Sequence, residues 1–148
     1  MSQSFSLKEN INKMLKCFKD SDFDTAVNLA ECIIKDDQKN STPYKILSLI
    51  YLKRNDLVLA KKFSEQALEI NNTDPDIFRN LAYINFITGN LDKAEKFYKE
   101  TIKLKPNCTH SMYEYGLVLN KLKKYSEAEQ IYKNSLNFTK DNAKIYFN

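Results

Sequence analysis

The stretch GNLDKAEKFYKETIKLKP, residues 89–106, decides the fold. Its apolar residues Leu91, Ala94, Phe97 and Ile102 fall on one helical face, because 3.6 residues make a turn. A Gly-Asn pair opens the segment and Pro106 stops it. Weaker copies stand at 55–71 (NDLVLAKKFSEQALEIN), 123–138 (KKYSEAEQIYKNSLNF) and 21–36 (SDFDTAVNLAECIIKD). Aligned on their alanines they give Ala26, Ala60, Ala94 and Ala128, each 34 residues from the next. Three positions earlier lie Phe23, Leu57, Leu91 and Tyr125; three later lie Leu29, Phe63, Phe97 and Ile131.

Upstream of each alanine the periodicity predicts a second apolar helix. Its stripe is Tyr44, Leu47, Ile50 and Tyr51 in one copy, Phe78, Leu81 and Ile84 in the next, and Met112, Tyr115, Val118 and Leu119 in the last. The first copy is weaker, with Ile11, Met14, Leu15 and Phe18. Each unit therefore reads as helix, turn, helix. The units are 7–40, 41–74, 75–108 and 109–142, after a lead-in at 1–6. Residues 143–148, AKIYFN, read as the start of a fifth, with Tyr146 in the aromatic column.

A helix-turn-helix period of 34 residues resembles the tetratricopeptide repeat family. In the third unit the resemblance reaches single residues: Phe78, the Leu81-Ala82 pair, Gly89 in the turn, Ala94, Tyr98 and the closing Pro106. Tyr115-Gly116, Ala128 and Tyr132 carry it in the fourth unit, and Tyr44, Tyr51, Ala60 and Ala67 in the second. Met14 and Ser48 stand where the family usually has Gly or Ala, and Asn85 where it is usually aromatic. The resemblance implies an all-α, right-handed α-solenoid of stacked helix pairs, in which one pair cannot bury its apolar face alone. Ala94 facing Ala82 is expected to set the crossing of the two helices of its unit.

Composition agrees with this class. The 148 residues are 43% hydrophobic, as in a folded protein, and two glycines with three prolines leave few turns for an all-β or glycine-loop nucleotide fold. The 23 basic and 19 acidic residues are mixed along the chain, giving a net charge of +4 without a basic block, which argues against a nucleic-acid arm. Cys17, Cys32 and Cys108 fit no zinc spacing and read as reduced thiols of a cytoplasmic protein. The first residues carry no secretory signal, and the longest apolar run, YKILSLIYL, is far short of a membrane span.

Catalytic motifs are missing, so no enzyme activity, cofactor or metal is expected of this stretch. His110, the one histidine, has no nucleophile motif beside it. Asp20, Asp22, Asp24 and Glu31 fall at places 1, 3, 5 and 12 of a calcium loop. Thr25 replaces its required glycine, however, and the repeat register puts Glu31 inside a helix, so an Asp capping the next helix is the preferred reading.

In the family the first helix of each unit lines a concave groove that binds an extended peptide or a partner helix. By register the resemblance assigns to that groove Lys45, Leu49, Lys53, Arg79, Asn80, Tyr83, Tyr113, Leu117 and Lys121, with Lys8, Lys19, Asp76, His110 and Glu114 among the further lining residues. The lysine and arginine excess suggests a mildly anionic protein or peptide partner; the alternative is a solvated lysine face. The carboxylate clamp known from some family members would fall on Lys45, Leu49, Asn80, His110 and Glu114, and keeps only two of five residues. Asn80 stands where the arms of sugar-transferring enzymes carry a groove asparagine, so a substrate-recruiting arm of a glycosyltransferase or sulfotransferase is the second reading. No polar capping helix follows residue 142. Either the chain is the N-terminal piece of a longer protein, or its C-terminal face self-associates.

Overall fold

The computed structural model describes the backbone of residues 2–146 and the side chains of residues 6–138. Among them are eight α-helices and no strand: α1 (Ser2–Lys19), α2 (Phe23–Asp36), α3 (Ser41–Lys53), α4 (Leu57–Ile70), α5 (Pro75–Ile87), α6 (Leu91–Leu104), α7 (Thr109–Lys121) and α8 (Tyr125–Tyr146). They form two compact units, Met1–Asn72 with α1 to α4 and Thr73–Asn148 with α5 to α8. In each unit the helices pack as consecutive hairpins, and the first helices of the two hairpins also touch, α1 with α3 and α5 with α7. The all-α helical repeat expected from the 34-residue period is the observed architecture.

The same turn closes all four hairpins. Ser21, Asn55, Gly89 and Lys123 have φ of 62°, 59°, 79° and 60°, and they stand 34 residues apart. Each follows the end of a first helix in the left-handed conformation that lets the next N–H reach back five residues. Asp22 N donates to Cys17 O, Asp56 N to Tyr51 O, Asn90 N to Asn85 O and Lys124 N to Leu119 O, at 2.8–2.9 Å. This satisfies carbonyls that a helix end leaves open. The residue that receives the turn then starts the second helix. Asp22 Oδ1 accepts from Thr25 N at 3.3 Å and Asp56 Oδ1 from Leu59 N at 3.0 Å, so the aspartates of the suspected calcium loop include a helix cap. Glu31 lies within α2.

Each unit has its own core. In the first it gathers Met14, Ala26, Ala30, Ile33, Ile46, Leu47 and Ile50; in the second Ala82, Ala94, Tyr98, Tyr115, Val118, Leu119 and Ala128. Ala26, Ala60, Ala94 and Ala128 are all buried, as the repeat columns require. The unusual Met14 and Ser48 are explained by a second column on the opposite helix, which holds Ala30, Ser64, Tyr98 and Tyr132. Size is exchanged across the hairpin. Met14 shares its cluster with Ala30, Ser48 Oγ lies 2.5 Å from Ser64 Oγ, and Ala82 shares its cluster with Tyr98. At Gly116 a Cβ would come within 2.3 Å of the Tyr132 ring. In the first, third and fourth hairpins a large residue on one helix meets a small one on the other, and in the second two small serines meet, which keeps the interior filled without wedging the helices apart.

Asn85 replaces the aromatic partner that Tyr51 offers Phe63 in the second repeat, where the rings stack at 5.5 Å. It is buried, and its Nδ2 donates to Leu81 O of its own helix at 2.7 Å. Phe97 packs with Phe78 instead, at 6.3 Å. α8 is one continuous helix to Tyr146, over part of the stretch read as a fifth unit. The Tyr146 side chain, Phe147, Asn148 and the side chains of the lead-in before residue 6 lie outside the described residues.

Candidate interaction surface

The residues expected to line a groove sit on the first helices of the hairpins, α1 and α3 in the first unit and α5 and α7 in the second. In the first unit α3 carries Lys45 and Leu49, both half-buried, and exposed Lys53. Basic groups dominate there: Lys8, Lys19, Lys45 and Lys53 are its charged members, with no acidic residue among the expected lining. Ile46, in the same turn as Lys45, is buried.

In the second unit α5 carries Arg79, Asn80 and Tyr83, and α7 carries Tyr113, Leu117 and Lys121. Tyr83 and Tyr113 are 40% and 55% exposed, unusual for large aromatic rings, whereas Asn80 is only 3% exposed. Tyr113 is supported from below by Tyr132 of α8, with ring centroids 6.0 Å apart, and Asn120 Nδ2 donates to the Tyr132 hydroxyl at 3.3 Å. Leu117 is half-buried and Lys121 exposed. Charges here balance, with Arg79 and Lys121 against Asp76 and Glu114. His110 Nε2 lies 3.3 Å from Glu114 Oε1, one turn along α7.

Two features of this unit escape a reading by register. The first is Tyr98 on α6, fully buried and stacked on Tyr115 at 6.2 Å. Burial, then the charge of Glu114, pushes its hydroxyl well above the ordinary tyrosine range, so the phenol keeps its proton at all ordinary pH. The second is an ion cluster between repeats. Lys124, in the position that should cap α8, extends to Glu95 of α6 and donates to both carboxylate oxygens at 2.8 Å; Lys99 adds a contact at 2.8 Å. Burial alone would raise the Glu95 carboxyl, but hydrogen bonds from Lys124 and Lys99 outweigh it and hold it below the ordinary glutamate range. Spacing carried a hint only for Tyr98, whose column otherwise holds Ala30, Ser64 and Tyr132.

Among the described residues no three His, Cys, Asp or Glu side chains are grouped so as to hold a metal ion, and no helix is long and apolar enough to cross a membrane.

Comparison with known proteins matches the tetratricopeptide repeat model at residues 44–74, 76–108 and 109–142, more than half of the chain. The human Cell division cycle protein 16 homolog is 31% identical over 113 residues, covering 70% of this chain and 18% of its own length. The chain thus spans about a fifth of that relative. Among solved structures, MamA superposes with a TM-score of 0.79 at 23% identity, over 91% of this chain and 81% of its own. YrrB, described as a TPR protein with an unusual peptide-binding site, gives 0.78 at 18% identity, over 87% and 66%. A Thermobaculum terrenum O-GlcNAc transferase gives 0.75 at 13% identity, over 80% of this chain and 23% of its own.

Proposed function

Because the chain belongs to the tetratricopeptide repeat family, we propose that it is a non-enzymatic protein-interaction scaffold whose first-helix surfaces hold an extended peptide or a partner helix. The observation that carries this reading is the pair of exposed tyrosines, Tyr83 on α5 and Tyr113 on α7, beside half-buried Leu117. Rigid aromatic rings with a polar tip are the side chains that most often anchor a partner. The repeats are taken as 7–40, 41–74, 75–108 and 109–142, with Lys45, Leu49, Lys53, Arg79, Asn80 and Lys121 completing the surfaces. The basic first unit favours acidic partner residues, and the three free cysteines suit a reducing, cytoplasmic setting.

The test is a random peptide library selected on the immobilised chain. A shared motif should emerge, and Tyr83→Ala with Tyr113→Ala should weaken its binding about tenfold or more. Binding indifferent to both substitutions would defeat the reading.

The likeness to an O-GlcNAc transferase supports a second reading, a substrate-recruiting arm of a larger sugar-transferring enzyme. An immunoblot of the native product separates the two. A band near 17.3 kDa favours the stand-alone scaffold, and a much larger one favours the arm. Exposed Tyr125, Leu136 and Phe138 on α8 support self-association through that helix, and a monomeric mass in light scattering at high concentration would remove it.

A further inference from the structure

The second unit breaks a lysine column. One turn after Leu15, Leu49 and Leu117 stand Lys19, Lys53 and Lys121, but in α5 the same two places hold Tyr83 and Ile87, 40% and 41% exposed. On α7, Tyr113 stands one turn before Leu117 and is 55% exposed. Residues four apart on a helix are neighbours, and α5 touches α7. Three of the eight large apolar side chains exposed among the described residues thus fall on two touching helices. Grouped in this way, such side chains mark a place where another molecule sits.

The patch is close to neutral. Arg79 and Lys121 balance Asp76 and Glu114, and Glu114, 16% exposed, is engaged by the Tyr98 hydroxyl and by His110. A charged segment gains little on such a surface. Among uncharged segments, a helix has already spent its backbone carbonyls internally, and its apolar face would press on the tyrosine hydroxyls without answering them. A polyproline II segment has no internal hydrogen bonds, so its carbonyls stay open, and proline brings acceptors without an N–H. Tyrosine complements that backbone twice, because its ring packs on a pyrrolidine while its hydroxyl donates to a carbonyl. We propose that α5 and α7 hold a proline-rich segment in the polyproline II conformation. Its pyrrolidine rings rest on Tyr83, Ile87 and Tyr113, and the two hydroxyls donate to its carbonyls. Tyr132, with its ring centroid 6.0 Å from that of Tyr113, backs one of the platforms. All three contact residues lie at the surface, so the ligand needs no entry into the core.

The inference rests on the peptide-binding reading above and names its ligand class. The experiment repeats the peptide-library selection on the wild-type chain and measures the selected peptide on two variants. Ile87→Lys restores the lysine that the other three repeats carry at this exposed position, and Tyr83→Phe with Tyr113→Phe keeps both rings and removes only the hydroxyls. Prolines three residues apart should be fixed in the wild-type motif, as three residues make a polyproline II turn. Exchanging them for alanine should weaken binding about tenfold, Ile87→Lys about fivefold and the phenylalanine pair about threefold. A motif without proline, whether acidic or patterned as an amphipathic helix, overturns the ligand class while peptide binding stands. A proline motif indifferent to both variants overturns its seat on α5 and α7. Failure to select any peptide overturns both readings.

Discussion

The first unit pairs Met14 with Ala30 and Ser48 with Ser64, whereas the second pairs Ala82 with Tyr98 and Gly116 with Tyr132. The period is the same and the volumes are traded between the helices. The trade has a chemical consequence. Moving the large residue to the second helix brings a phenol into the unit, where the first unit has an alanine or a serine whose short hydroxyl is engaged with Ser48. The ion pairs between repeats differ in the same sense. Arg54 reaches Asp24 at 2.5 Å across a surface where Asp24 is 91% exposed; Lys124 reaches a Glu95 whose side chain is 9% exposed. The expected lining is uniformly basic in the first unit and balanced in the second. One repeat pattern thus carries a plain basic face in one unit and a polar, tyrosine-bearing one in the other.

The largest expected effect breaks the size exchange. Tyr98→Ala should cost about 3–5 kcal/mol in urea denaturation. Adding Ala82→Met, which rebuilds the Met14/Ala30 arrangement in the third repeat, should recover about 1–2 kcal/mol of it. Strict additivity would refute the exchange. Ala94→Leu should overpack the hairpin and cost roughly 1–3 kcal/mol; an unchanged midpoint would show that the crossing does not depend on that alanine.

Smaller effects sharpen the contrast between the ion pairs. Glu95→Ala should cost about 1 kcal/mol at neutral pH, and Asp24→Ala about 0–0.5 kcal/mol, because exposed pairs contribute little. The folded state holds the Glu95 carboxyl below its ordinary range, so its contribution is full above that range. It is lost as the pH falls through the lowered value. The Glu95→Ala deficit should therefore shrink on acidification, and a pH-independent deficit would assign it to packing. Least of all, Lys123→Gly should raise stability by roughly 0.5–1 kcal/mol by relieving φ of 60°, while Gly89→Ala should lower it by about 1 kcal/mol. Equal responses at the two sites would deny that the turns are equivalent.

Much of this was legible in the residues. The helices, the buried alanines and the Gly89 turn follow from spacing, because a helical face and a repeat period are one-dimensional signals. Ser21, Asn55 and Lys123 take the same left-handed turn as Gly89, yet none of them announces it alone; only their 34-residue register with Gly89 could have. Register also named Arg79, Tyr83, Tyr113 and Glu114. It set Glu114 among the further lining residues, and the structure brings its carboxylate against buried Tyr98 of the neighbouring helix. By spacing alone Tyr98 is a packing residue, since its column lies on a second helix. That its hydroxyl meets Glu114 depends on which atoms approach it in three dimensions, and spacing does not carry this.

Hydrogen exchange on the whole chain, with and without a peptide selected on it, tests the central claim that recognition is concentrated on the first helices of the second unit. The account predicts added protection in α5 and α7. Protection confined to α1 and α3, or to α8, would contradict it.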